Sequence, residues 1–299
     1  MNISLILQMA ADADPERIGL VCDGRRWSYG ALLRAAQGAA ANIAESGCSH
    51  VALLDESSEA AAIALFGAAI AGIPYVPLNY RLADADLAAL LGRIAPACII
   101  GDVDRSNRLS PDSGHRCLSP AGFVAAAEAA ADSASGEETE GEGIAVQIFT
   151  SGTTAAPKAA LLRHSNLLSY ILGTVEFCSA SEDEAALVCV PPYHIAGIAA
   201  LLSSIYAMRR IALLPSFDPE SWLALAGSER ATNAFVVPTM LARIIARMDE
   251  GATADLTTPA TADLVAGPQL VTIEPAVLGA MLPGGSLRPR RAPARPGRR

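Results

Sequence analysis

The chemistry-bearing residues of this chain crowd into one short run, Phe149 to Lys158: Phe-Thr-Ser-Gly-Thr-Thr-Ala-Ala-Pro-Lys. Thr150, Ser151, Thr153 and Thr154 bring four hydroxyls, Gly152 exposes backbone amide, and Lys158 adds one mobile cation. Hydroxyls and loop amides donate to phosphate oxygens, and an ammonium neutralises their charge. A run of this composition can therefore cradle phosphate. The competing reading is an ordinary solvated Ser/Thr turn, the default for an arbitrary loop of such residues. Neighbouring stretches must decide between the two.

The run is not a nucleotide loop of the Walker type. No second glycine stands just ahead of Lys158, and alanine follows the lysine where Ser or Thr would hold a magnesium ion. The Gly-x-Gly-x-x-Gly of a dinucleotide fold is also missing. What positions the run is an apolar stretch before it, Ile144 to Ile148, which reads as a strand, and a helix expected from Ser165 to about Glu176.

Upstream, Ile18–Cys22 reads as a strand turned by the hairpin pair Asp23-Gly24. A helix is predicted over Ala31–Glu45, closed by Gly47. Val51–Leu54 is strand-like, and Ser57 or Ser58 is the expected cap of an apolar helix ending near Gly72. Pro74 and Pro77 place the extended Ile73–Leu78 at a sheet edge or in a crossing segment. Asp84 is the expected cap of a helix to Ile94, followed by a strand over Ala97–Ile100.

Downstream the alternation restarts, with strands at Ala186–Val190, Ile211–Leu214 and Asn233–Val237. Helices follow each, from Ile195, from Pro219 and from Thr239. Strands alternating with helices of this length predict βα repeats and mainly parallel sheets packed by helices. The predicted division is a first α/β subdomain over 1–131, an acidic linker over 132–143 and a second subdomain over 144–258 that carries the phosphate loop. A poorly ordered tail is expected over 259–299, where arginines and prolines accumulate from Gly284 without a single acid.

The totals agree with a globular protein. Of 299 residues, 52% are hydrophobic and 18% charged, enough apolar material for a full core. A net charge of −9 argues against a general nucleic-acid or membrane-surface binder. The six cysteines show no metal-ligand or redox spacing and read as reduced thiols of a cytoplasmic protein. No apolar window reaches the roughly 18–20 residues that span a bilayer.

Taken in order, these stretches resemble the AMP-forming adenylate enzymes: the acyl- and aryl-CoA synthetases, luciferases and peptide-synthetase adenylation domains. Thr150-Ser151-Gly152-Thr153-Thr154-Ala155-Ala156-Pro157-Lys158-Ala159 is similar to that family's Thr-Ser-Gly-Thr-Thr-Gly-x-Pro-Lys-Gly. Trp27–Leu32, Gly67–Asn79 followed by Arg81, Arg163–Leu167, Pro191–His194 and Val237–Leu241 resemble further family segments in the same order.

The resemblance implies the fold of the family's large N-terminal domain. It also implies attack of a carboxylate on the α-phosphorus of ATP, with transfer of the acyl group to coenzyme A and with Mg2+ as cofactor. It assigns Thr150, Ser151, Gly152, Thr153, Thr154 and Lys158 to the β- and γ-phosphates, and Lys158 and His194 to catalysis, His194 beside the carboxylate and α-phosphate. No protein metal ligand is assigned. Arg81 is expected in a structural ion pair, His164 as a structural cap, and His50 and His115 facing solvent.

Ala155 and Ala159 stand where the family has glycine. If either needs positive φ, the methyl costs about 1–2 kcal/mol. The family pattern is expected to end near Asp255–Pro259, and its adenine, ribose and magnesium-associated segments are not visible beyond. A translated frameshift or premature end past Thr258 is the expectation; the gene's other two frames test it, and it fails if neither encodes a Tyr-Gly-x-Thr-Glu-like segment. The alternatives to a ligase are a non-catalytic nucleotide- or partner-binding remnant, a peptide-synthetase-type fragment, and an unrelated α/β domain with a phosphate loop. Weak or no adenylation is expected of the chain as given, and robust ATP–pyrophosphate exchange with mixed carboxylic acids would overturn that.

Overall fold

The structure, a computed structural model, describes residues 1–111, 113–131, 143–150 and 158–250, with the backbone of 266–267 and 270–273. Its strands form two sheets. The first holds β1 (Ile18–Cys22), β2 (Arg25–Ser28), β9 (Ala185–Val188), β10 (Arg210–Leu213), β11 (Asn233–Val236), β12 (Ala266–Gly267) and β13 (Leu270–Ile273). Their order is β12-β13-β11-β9-β10-β1-β2. The second holds β3 (His50–Leu54), β4 (Tyr75–Pro77), β5 (Ala97–Gly101), β6 (Arg116–Leu118), β7 (Ile144–Thr150) and β8 (Lys158–Arg163), ordered β6-β5-β3-β4-β7-β8. In both, the inner strands pair parallel and the antiparallel pairs lie towards the margins.

Sheet membership does not follow the predicted boundary at 132–143. The hairpin β1–β2, from the first half of the chain, completes the sheet of β9–β11. The hairpin β7–β8, from the second half, completes the sheet of β3–β6. The reason lies in strand faces. β1 is buried over Gly19–Cys22 and β7 at Ala145 and Val146, so each needs a parallel neighbour with helices on both sides, and the half of the chain that offers one is the other half.

Between the sheets lie α1 (Ser4–Ala13), α2 (Tyr29–Glu45), α3 (Glu59–Ala71) and α8 (Ile195–Tyr206). α3 is buried on nearly every side, from Ala60 through Ile70 with Ala61 the exception, which is why its apolar residues show no helical stripe. It touches β3, β4 and β7 of one sheet and β1 of the other. One core joins Leu53, Val51 and Val146 to Leu20, Val188 and Ile211 through this layer.

The outer faces have their own covers. α9 (Pro219–Ser228) and α10 (Pro238–Asp249) pack Trp222, Leu223 and Ile244 on Leu187 and Val236. α4 (Asp84–Gly92) packs Leu87, Leu90 and Leu91 on Ala52, Leu54 and Val76. Val51 and Leu53 thus face inward while Ala52 and Leu54 face outward, the period-two alternation of a strand covered on both sides. α5 (Val103–Leu109), α6 (Pro120–Ala130) and α7 (His164–Thr174) complete the described helices.

Several local expectations hold. Asp23 and Gly24 both take positive φ (45° and 80°), the geometry of a two-residue hairpin turn. Gly47 takes φ 68° just past α2. Others are corrected. β4 is an inner strand between β3 and β7, not an edge; its three residues keep Pro74 outside the strand and Pro77 at its last position, where the ladder continues through the Leu78 amide to the Leu53 carbonyl at 2.8 Å. Ser58 is the N-cap residue of α3 but its hydroxyl bonds nothing, and Ser57 donates to the Val190 carbonyl at 3.4 Å. Asp84 lies inside α4 and binds Arg105 instead. The acidic stretch 132–142 and most of the tail lie outside the described residues. Within the tail, the backbone at 266–273 forms β12 and β13, antiparallel onto β11.

The helical layer leaves no slack at Gly38 of α2. A β-carbon there would stand 2.0 Å from the Ala127 carbonyl oxygen of α6, a contact backbone on backbone that neither helix can relieve alone. Gly38→Ala is expected to destabilise the fold by about 1–3 kcal/mol. Urea denaturation reads this directly; a midpoint equal to that of the wild type would show that α2 and α6 are not packed as described.

Candidate active site

β7 and β8 pair antiparallel in a register that sets Thr150 opposite Lys158. The Thr150 hydroxyl donates to the Lys158 carbonyl at 3.4 Å, closing the ladder at its last rung. The two chain positions that flank residues 151–157 are therefore held side by side. Ser151, Gly152, Thr153 and Thr154, the remaining phosphate-loop residues, lie outside the described residues, as does Ala155. Thr150 and Lys158 are both exposed.

β7 runs parallel to β4, with Tyr75 level with Val146, and continues past the end of β4. β7 consequently ends at the carboxyl edge of the parallel strands, where open α/β sheets bind ligands. Ala159 pairs with Phe149 inside β8 and is not among the positive-φ residues, so the strain considered for an alanine there does not arise.

The carboxyl edges of the two sheets meet. Tyr80, just after β4, stands edge-on to Tyr193 in the turn after β9, with ring centroids 5.7 Å apart. Tyr193 in turn lies 4.6 Å from the His194 ring. Pro191-Pro192 forces this turn. The His194 amide donates to the Pro191 carbonyl at 3.1 Å, and the His194 carbonyl accepts from Gly197 at 3.0 Å as α8 begins. His194 is thus the N-cap residue of α8 through its backbone, and its exposed ring makes no hydrogen bond to the described residues. Partial desolvation holds its pKa below the ordinary imidazole value, so the ring is neutral at pH 7 and can accept a proton.

Beside this aromatic chain opens a cleft of about 280 Å³ bounded by Tyr80, Arg81, Pro191, Ser216, Thr239 and Arg243. It receives residues from the ends of β4, β9 and β10 and from the start of α10. Arg81 does not make the expected ion pair: no carboxylate lies within 4.0 Å of it among the described residues, and its guanidinium sits over the Tyr80 ring at 5.4 Å. Cys189 also borders the cleft, but burial pushes its thiol up to about 12, which removes it as a nucleophile near neutral pH.

The structure thus gathers His194, Tyr193, Tyr80 and Arg81 at one junction. Lys158 stands two strands from β4, at the base of its own loop, and no described contact links it to His194. Tyr80, Tyr193 and Arg243 escape sequence reasoning because a tyrosine in a turn and an arginine on an amphipathic helix carry no signal of their own. Only their meeting across two sheets marks them.

The other histidines are structural. His164 is buried at 2% exposure, at the start of α7, and its Nδ1 accepts the Ile3 amide at 3.3 Å, tying α1 to α7. His115 accepts the Ala97 amide at 2.9 Å and is half-buried rather than solvent-facing, as is His50, whose Nδ1 lies 2.9 Å from the Ser49 hydroxyl. All six cysteines are free. Among the described residues no helix is long and apolar enough to cross a membrane.

The chain belongs to the AMP-binding enzyme family, whose sequence model matches residues 7–286. That match runs beyond Pro259, so the family pattern is not left at Asp255–Pro259 as the motif comparison predicts. A feruloyl-CoA synthase of Amycolatopsis is 30% identical over 199 residues, which covers 66% of this chain and 40% of that protein. An indoleacetate–CoA ligase of Aromatoleum aromaticum is 26% identical over 263 residues, covering 83% and 52%. The apo crystal structure of MatB from Rhodopseudomonas palustris superposes with a TM-score of 0.71 at 26% identity, over 82% of this chain and 51% of that one. The N-terminal domain of FACL13 from Mycobacterium tuberculosis, at 22% identity and a TM-score of 0.69, shares the fold. The chain spans about half or less of the length of the curated relatives it matches.

Burial holds the His164 pKa below its ordinary 6.5, with the nearby N-terminal ammonium adding to the effect. The unfolded chain therefore binds this proton first as pH falls, and stability drops as pH is lowered through about 6.5. His50, His115 and His194 act in the same direction. His164→Gln keeps an acceptor for the Ile3 amide and is expected to make the loss between about pH 7.5 and about pH 5.5 shallower. Urea midpoints at the two pH values measure it; an unchanged pH dependence would mean that His164 does not titrate with unfolding.

Proposed function

We propose that this chain carries the phosphate-binding and acyl-facing part of an AMP-forming acid–thiol ligase. Such an enzyme adenylates a carboxylic acid with ATP and passes the acyl group to coenzyme A. The observation that carries this reading is the register of β7 and β8: Thr150 opposite Lys158 at the carboxyl edge of a parallel sheet, with Ser151, Gly152, Thr153 and Thr154 between them in the sequence. Family membership and the acyl-CoA ligase relatives support the same chemistry.

In this reading the loop hydroxyls, the Gly152 amide and Lys158 hold the β- and γ-phosphates. They stabilise the charge that builds on pyrophosphate as it departs, the largest demand of phosphoryl-centre chemistry. The substrate carboxylate attacks the α-phosphorus from the junction at His194. A neutral imidazole there does not pair with the attacking carboxylate, which stays an anion, and can donate a hydrogen bond to a phosphoryl oxygen. The Tyr193–Tyr80 pair holds the His194 turn against the opposite sheet, so the acyl-facing and phosphate-facing edges keep their spacing. Mg2+ enters with the triphosphate. Among the described residues no three His, Cys, Asp or Glu side chains converge to hold it, and no step is assigned to it.

Isothermal titration with ATP tests the reading. The wild-type chain is expected to bind, and Lys158→Ala to weaken binding by about tenfold or more, the scale of one charge-assisted contact. ATP binding without pyrophosphate exchange across a panel of carboxylic acids would favour a nucleotide-binding role over catalysis. An absence of ATP binding by the wild type, or a Lys158→Ala affinity equal to it, would sink the assignment of the loop.

A further inference from the structure

Arg81 and Arg243 border the same cleft from opposite sheets, and neither has a carboxylate within 4.0 Å among the described residues. The chain carries 31 acids against 22 basic residues, yet the cleft gathers two cations and no acid. Arg25, Arg26, Arg105, Arg209, Arg210 and Arg247 each meet an acid. Asp218, whose carboxylate lies in the field of Arg243, is engaged in capping α9, accepting from the Ser221 amide and hydroxyl at 2.9 Å each.

Both guanidinium groups are instead laid on aromatic rings. Arg243 sits 5.0 Å over Phe217, and Arg81 sits 5.4 Å over Tyr80. Arg81 also hydrogen-bonds the Tyr80 side chain; the N–H donors not used there remain for a ligand, and two guanidinium forks suit a carboxylate. The remaining wall has no acid. It offers the Ser216 and Thr239 hydroxyls and the apolar Pro191, Pro215 and Met240. Thr239 lies in the first turn of α10, whose amino end adds partial positive charge. A cleft with apolar sides and a cationic end fits a small organic acid that carries its own anionic end.

We propose that this cleft receives the far carboxylate of a dicarboxylic acid, so that the substrate to be adenylated bears a second anionic group. The proposal rests on the ligase reading for the fate of the first carboxylate, but binding in the cleft does not depend on catalysis. The chemistry that two arginines recognise is an oxyanion, which a nucleotide phosphate also supplies. The carboxylate is favoured because the phosphate donors lie apart, on the β7–β8 hairpin beyond β4, while the arginines share their cleft with the apolar wall.

Isothermal titration of the full chain with succinate, butyrate, inorganic phosphate and ATP tests it. Succinate is expected to bind about tenfold or more tightly than butyrate, and Arg243→Gln and Arg81→Gln each to weaken succinate by about tenfold or more. Both side chains are exposed, and unchanged thermal melting of the variants separates lost binding from lost folding. Equal affinity for succinate and butyrate, no succinate binding, or full succinate affinity in Arg243→Gln would overturn the proposal. So would an ATP or phosphate affinity that falls with Arg243→Gln while succinate affinity does not, which would give the arginines to the nucleotide. A chain that binds succinate but not ATP would keep the cleft assignment and defeat the phosphate-loop reading, so the two failures remain distinguishable.

Discussion

Everything in this molecule depends on burying α3 on nearly all of its sides. A helix with so little polar surface cannot lie on one sheet with its back to water; it requires apolar partners around its whole circumference. It finds them in β3, β4 and β7 on one side, β1 on another, and α2 alongside. Ala60, Ala62, Ala64, Gly67, Ala68 and Ala69 keep the helix thin enough for these neighbours to close in. At Gly67 a β-carbon would stand 2.9 Å from that of Ala39, so α2 and α3 approach almost backbone to backbone. The two sheets are held at one separation by this contact.

From that separation follows the geometry of the site. Parallel strands end in loops on one edge, and two such edges set face to face make a crevice whose floor is the α3 layer. Tyr80 and Tyr193 reach across the crevice and touch, and His194 and Arg81 flank them. The polar groups of the crevice come from strand ends, where backbone amides and carbonyls are freed from the ladder, and the core beneath stays apolar. Chemistry and stability are thereby assigned to different layers of the same fold.

The family was legible in the residues because the run that carries the resemblance is a local device. Its donors are consecutive, and their type and order suffice to recognise them. The helices over Ala31–Glu45 and from Ile195, and the Asp23-Gly24 turn, were legible for the same reason, since capping and turn geometry act within a few residues. β4 was misplaced to an edge because proline forbids a ladder amide only at its own position, and a three-residue strand can keep its prolines at the ends. Arg81 was misassigned because ion pairing depends on what lies across space, and what lies there is a tyrosine ring.

The sequence by itself determined the alternation of strands and helices, the absence of metal or redox cysteine spacing, and the family to which the chain belongs. These rest on periodicity and local order, which a linear chain carries in full. Only the tertiary structure decided that β1–β2 and β7–β8 trade places between the sheets, and that Arg81 and Arg243 come to share one cleft. Both follow from closing apolar faces around α3, a constraint between residues far apart in the chain. No local pattern records where such partners will meet.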